Sequence, residues 1–525
     1  MFIISFHGKG GPKSTKGTKE LHDEWCTAPC SQRDRRHRPS APTFLPLGIF
    51  LYPSLMSEPN RPMPDRNAHQ ERCVRRYEAM EAAQDRLFFD VEEIEMIVDH
   101  YLERSEPRKA EKVLSFAKEL HPSSLAITFA EAVVMMALGR LRKALDLLDA
   151  VEKVEPWNEE VQLHKAGIFS QQRNHRRSVE HYKRALELAE DGLDEIYLDL
   201  AFEYENLEDF ESAIDCLKQA LELNPENEVV LYELAYCYDL AGADEASITF
   251  FRNFTNDDPY SSVAWYNLGN VLAKLERYEE SNEALDLAIV IDERFSSAWF
   301  SKARNLLIAG KYEEAIACYE ETLVFDGPQA ITYSFIGECY EKMERFEQAL
   351  INYDQSIALD PEWVDAWIGR GVVKDMQDRL PEALNALQHA LRLSPDHPDA
   401  LYYYALALGR AGRSEEAFAL FEKLHVVEPQ NLDAWMDHAD MLLQLKDAEA
   451  ALLKFQEGGQ VHKLNPHYKY RLVSYLLRTG RDQQALLELE EALAADHAGH
   501  TQLLNYWPDV AKMPQVMHLI ELYRR

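Results

Sequence analysis

Long apolar runs are missing from this 525-residue chain: nowhere do 18 apolar residues follow one another, so no segment reads as a membrane-spanning helix. Positive charge is scarce as well. The 56 Lys and Arg face 90 Asp and Glu, and the resulting formal net charge of -34 repels nucleic-acid phosphates. Seven cysteines form no Cys-x-x-Cys, and eighteen histidines are scattered without ligand spacing, so no metal centre is indicated. Cys216 and Cys237 are echoed by Cys318 and Cys339 at a fixed displacement, which reads as small thiols at recurring packing positions in a reducing compartment. The phosphate loops Gly-x-Gly-x-x-Gly and Gly-x-x-x-x-Gly-Lys-[Ser/Thr] are absent, as are His-Glu-x-x-His and Gly-x-Ser-x-Gly. These absences predict a cytoplasmic protein that is not an enzyme, carries no cofactor or metal, and binds neither nucleic acid nor membrane.

What the chain does contain is periodicity. Between Trp265 and Ala288, Trp265, Leu268, Gly269 and Leu272 share one helical stripe, and Ser281, Leu285 and Ala288 share a second, so two short helices face each other across a tight turn. Neither could hide its stripe alone. The pattern returns every 34 residues, except for one step of 35 around Gly192, with units starting at Val91, Leu125, Glu159, Asp194, Glu228, Ser262, Ser296, Ala330, Val364, Pro398 and Leu432. Position 8 is small from Ala132 to Ala439, position 20 is Ala or Ser from Ala110 to Ala451, and position 32 is often proline, as in Pro122, Pro259 and Pro429. Proline there ends the second helix, because its predecessor disfavours the α region.

This pattern resembles the tetratricopeptide repeat family. The resemblance implies an all-α, right-handed superhelical solenoid of antiparallel helix pairs, whose first helices line a concave groove. A solenoid grows without splitting, so the chain is expected to be one such array. Residues 1–56, with eight Lys+Arg against four Asp+Glu and no helical period, are expected to be a disordered leader or a gene-model extension. A shielding helix is expected within 57–90, starting at Asn67 and running to Leu87 with Val74, Tyr77 and Met80 in step. About twelve units then fill 91–497, the twelfth irregular with a shortened turn at Thr479 to Asp482, and capping helices follow over 498–525, where Val516, Leu519, Ile520 and Tyr523 fall in step after Pro514.

In the family, positions 2, 5, 6, 9, 12 and 13 line the groove. Here acids far outnumber bases at those positions: Asp199, Glu233 and Asp239 among the earlier units, Glu338, Glu341, Asp433, Asp437 and Asp440 among the later. Tyr232, Tyr236, Tyr266, Phe300, Phe335, Tyr402 and Tyr403 are interleaved with them. The lysine, asparagine and arginine clamp with which some relatives hold a terminal carboxylate has only Asn267, Asn270 and Arg304 to offer here. Aromatics among carboxylates suit a protein or peptide segment that is basic and partly apolar. The expected function is therefore a non-catalytic interaction scaffold that holds an extended partner segment in its groove. The alternatives are a substrate-recognition subunit of a multi-component enzyme and a self-associating structural solenoid.

Overall fold

The computed structural model describes residues 66–462 and 464–524, and the leader expected over 1–56 lies outside them. Among the described residues there are α-helices and short 3-10 turns but no strand. The helices divide into two compact parts, one up to Ile291 and one from Asp292.

In the first part, α1 (Arg66–Ala83) precedes six helix pairs: α2 (Val91–Glu103) with α3 (Pro107–Leu120), α4 (Leu125–Ala137) with α5 (Leu141–Glu152), α6 (Glu159–Gln171) with α7 (His175–Leu188), α8 (Leu193–Asn206) with α9 (Phe210–Leu223), α10 (Glu228–Leu240) with α11 (Asp244–Asp257), and α12 (Ser262–Lys274) with α13 (Tyr278–Ile291). The second part holds six more: α14 (Ser296–Ile308) with α15 (Tyr312–Asp326), α16 (Ala330–Lys342) with α17 (Phe346–Leu359), α18 (Val364–Met376) with α19 (Leu380–Leu393), α20 (Pro398–Arg410) with α21 (Ser414–Val427), α22 (Leu432–Gln444) with α23 (Ala448–His462), and α24 (Pro466–Arg478) with α25 (Asp482–Ala495). It closes with α26 (His500–Tyr506) and α27 (Pro514–Leu522). From α2 to α22, each first helix starts at position 1 of its repeat; α8 alone starts one residue early.

The small residues sit where two helices touch. The Ser281 hydroxyl donates to the Gly269 carbonyl at 2.6 Å, and Ser178 donates to the Ala166 carbonyl at 2.9 Å, each bond joining positions 20 and 8 of one pair. A Cβ added to Gly269 would lie 2.7 Å from Cγ of Leu285, closer than packed carbons tolerate. Each turn within a pair is three residues long, and its middle residue takes a left-handed φ: glycine in Gly139, Gly242 and Gly310, but also Arg173, Glu208, Glu276 and Asp378.

The twelfth pair corrects an expectation. Its helices are as long as the others and its turn at Thr479 to Arg481 is the ordinary three residues. Pro466 follows Pro429 by 37 residues rather than 34 without breaking the repeat, because it occupies the first helical position, where its missing N–H costs nothing. Helix α1 also ends earlier than expected, at Ala83 rather than Leu87, because the chain turns at Gln84 with φ 53. Val74, Tyr77 and Met80 are buried against the core that α2 shares, and Asp90 and Glu93 exchange a capping box at the start of α2. At the far end, Val516 and Ile520 bury themselves with Leu489 and Leu493.

Candidate functional site

First helices of successive pairs lie side by side, α10 against α12 and α16 against α18 to α20, so their exposed positions form a shared face within each part. In the first part, Tyr232 and Tyr236 of α10 are 40% and 41% exposed, an unusual display for large rings. Tyr266 of α12 meets Tyr232 edge-on at 6.3 Å between centroids. Asn267 is buried, and its amide donates to the Leu231 carbonyl at 3.1 Å, so it ties α12 to α10, while Asn270 is half-buried beside it.

The acids of this face differ in state. Burial pushes the Asp199 carboxyl up to about 6, against a hydrogen bond from the Tyr182 hydroxyl, with Glu203 and Glu195 adding to the shift. Asp239 is compensated: Lys274 Nζ lies 2.6 Å from it and 2.7 Å from Asp244. Glu233 is half-buried on α10.

In the second part, Phe300 and Phe335 are half-buried around Tyr319 of α15, which stacks on Phe335 at 5.6 Å and meets Phe300 at 5.3 Å. Arg304 is exposed and Glu338 half-buried, and both act electrostatically on the Tyr319 hydroxyl. Further along, Tyr353 of α17 threads between two glycines: a Cβ on Gly337 would lie 2.9 Å from its ring, and one on Gly369 would collide with it. Its hydroxyl donates to Glu341 at 2.8 Å, yet burial still pushes that carboxyl up to about 7. The Tyr402 hydroxyl donates to Asp437 at 2.6 Å, and burial holds Asp437 up at about 6. Tyr403, its ring 5.2 Å from that of Tyr402, has its hydroxyl raised first by burial and then by the charges of Asp399, Glu341, Glu338 and Asp433, which come from three helices. Asp440 is already engaged by the hydroxyls of Tyr475 and Tyr506, with the Arg471 guanidinium 3.4 Å over the Tyr506 ring, so α26 covers the last stretch of this face.

Sequence reasoning missed Tyr182, Tyr319 and Tyr353. All three stand at repeat position 24, in second helices, where the other units carry leucine, as in Leu114 and Leu285, or phenylalanine, as in Phe251 and Phe421, and a hydroxyl recurring at a core position was the available signal. The described cysteines are free, and among the described residues no group of His, Cys, Asp and Glu could hold a metal ion. No described helix is long and apolar enough to cross a membrane.

Family models described as tetratricopeptide repeat match residues 195–227, 266–331, 330–362 and 374–426. Over 201 residues the chain is 25% identical to Anaphase-promoting complex subunit 3 of Schizosaccharomyces pombe; the match covers 38% of this chain and spans 30% of that protein's length. Among solved structures, the chain is similar to the APC/C hetero-tetramer Cut9-Hcn1, with a TM-score of 0.41 and 14% identity over 78% of this chain and 94% of that one. It is also similar to the MamA protein, with a TM-score of 0.29 and 24% identity over 32% of this chain and 93% of that one.

Proposed function

The chain belongs to the tetratricopeptide repeat family, and from that premise we propose that it is a non-catalytic scaffold whose first-helix face holds a basic, partly apolar segment of another protein. A general role in protein interaction follows from the repeat array. The observation that carries the finer reading is that Asp399, Glu341, Glu338 and Asp433 all bear electrostatically on the Tyr403 hydroxyl. Burial outweighs the pull of Lys342 on Glu341 and of Arg471 on Asp437, so these carboxyls stay up at about 7 and about 6. An arriving lysine or arginine would relieve that state while its aliphatic stem packs on the tyrosine rings.

The test uses a synthetic peptide interleaving arginine with leucine and a copy with glutamate replacing arginine, read by fluorescence anisotropy. Only the basic peptide should bind, and its affinity should rise between pH 6 and pH 8 as Glu341 and Asp437 ionise. Glu338→Gln and Tyr403→Ala should each weaken binding. Equal binding of both peptides, or indifference to both substitutions, would sink the reading.

A second reading, a place as one subunit of a larger assembly, is favoured by the similarity to Anaphase-promoting complex subunit 3. It predicts that the native protein elutes far above its own 60.6 kDa in size-exclusion of gently lysed cells.

A further inference from the structure

A cleft of about 350 Å³ opens between α18 and α19, on side chains that the groove positions do not include. Arg370, Lys374, Asn385, His389 and Arg392 line it, with Glu382 as its one acidic wall. That is an island of positive charge in a chain whose formal net charge is -34.

Arg370 and Lys374 stand at repeat positions 7 and 11. In α12 the same positions hold Leu268 and Leu272, both buried in the core. Replacing two core leucines by cations costs desolvation, and packing alone gives no reason to keep them. A cation at position 7 can instead be structural, as Lys165 in α6 illustrates: it is buried and held at 2.5 Å by both Asp149 and Glu152. The α18 pair is not compensated in that way. Lys374 is 8% exposed, yet its only ion pair among the described residues is Glu382 at 3.5 Å. Glu382 is itself gripped by Arg379 through two bonds of 2.7 Å. Arg370 reaches Asp354 at 3.0 Å through Nε, while its guanidinium lies 5.4 Å from the centre of the Trp367 ring. Arg392 forms no ion pair among the described residues, and the His389 ring packs 4.2 Å from Trp367, fixing the back wall.

Counting the groups involved, Arg370, Lys374, Arg379 and Arg392 face only Asp354 and Glu382, a surplus of two positive charges. We propose that this cleft is a binding site for a phosphate-type dianion, with Arg370, Lys374 and Arg392 as its charged donors and Asn385 and His389 as further hydrogen-bonding groups. A phosphate monoester carries about -1.5 to -2 at neutral pH, which matches the surplus, and its oxygens suit guanidinium forks. The acidity of the rest of the chain does not prevent this, because exposed charges more than about 8 Å away are largely screened at physiological salt. The site is independent of the groove reading.

The experiment titrates the full chain with inorganic phosphate and with a phosphoserine peptide by calorimetry at neutral pH, using sodium chloride at matched ionic strength as the blank. Phosphate should give saturable heat that chloride lacks. Arg392→Gln, at an exposed position on the rim, should weaken binding roughly tenfold. Lys374→Leu, which restores the leucine of α12, should abolish binding with the helical circular dichroism intact, while Arg252→Gln, a surface arginine in the first part, should change nothing. A peptide that binds at least tenfold tighter than free phosphate would make the ligand a phosphorylated side chain; equal affinities would make it a small phosphorylated molecule, and both support the site. Heats no different from chloride, or binding unmoved by Arg392→Gln and Lys374→Leu, would overturn it. Groove substitutions such as Tyr403→Ala should leave phosphate binding untouched.

Discussion

At the scale of single residues, the buried titratable groups pull stability in opposite directions with pH. Glu341 has its carboxyl raised by burial to about 7, so its proton is bound more tightly in the folded state than in the unfolded chain. Stability from this group is therefore full below the ordinary carboxylate range and is lost as pH rises toward 7. Glu341→Gln keeps an acceptor for the Tyr353 hydroxyl but cannot ionise. It should be more stable than the native chain at pH 8 by about 1–3 kcal/mol and no better at pH 5, measured by urea denaturation. His425 and His438 act the other way. Their rings meet at 3.1 Å between nitrogens, with Trp435 stacked 3.4 Å from His425. Burial first, then His438 and Lys454, press His425 down to about 3. His438 falls to about 4 through burial, with Glu422 and Glu457 opposing and Lys454 assisting. Their stabilisation is whole above the usual imidazole range and disappears as pH falls toward 4. Hydrogen exchange in α21 and α22 should thus accelerate between pH 6.5 and pH 4, and a rate that follows only the intrinsic chemistry of exchange would contradict neutral, buried imidazoles.

Single elements are governed by the helix pair and its turn. Because a Cβ on Gly269 would lie 2.7 Å from Leu285, even Gly269→Ala should destabilise the pair of α12 and α13, by roughly 1–3 kcal/mol. Trimming the obstacle with Leu285→Ala opens space for that methyl, so the double substitution should cost less than the sum of the singles, a coupling that urea titrations of all four proteins would reveal. Strict additivity would mean that the helices shift apart rather than clash. In the turns, Glu276 adopts φ 58, where a side chain is strained, whereas Gly310 takes the same place freely. Glu276→Gly should therefore raise the melting temperature modestly, the relief of about 1 kcal/mol being partly offset by the entropy of a freer unfolded chain.

For the whole molecule, legibility followed the period. Alternation of small and large residues marked the pairs from Ala132 to Ala451, because close helix approach demands small residues at fixed positions and a 34-residue recurrence makes that demand visible. The turn geometry did not show, since Glu208, Glu276 and Asp378 enter the left-handed region without advertising it as glycine would. The state of the acids on the candidate face was also hidden. Asp239 meets Lys274, and Tyr402 meets Asp437, across 35 residues in each case, so each bond links one repeat to the next and exists only once two first helices lie side by side. Individual charges are therefore partly matched, but their total is not. With 90 acids against 56 bases, like charges repel throughout the folded state, while most ion pairs, such as Arg413 with Glu416, are exposed and contribute little. Raising sodium chloride from about 10 mM to about 150 mM shortens the screening length from roughly 30 Å to 8 Å, which quiets long-range repulsion while touching contact pairs less. The melting temperature should rise across that range and then level off. A fall instead would mean that the surface ion pairs outweigh the net charge, and that the carboxylates on the first-helix faces are held by their local partners rather than poised for an incoming cation.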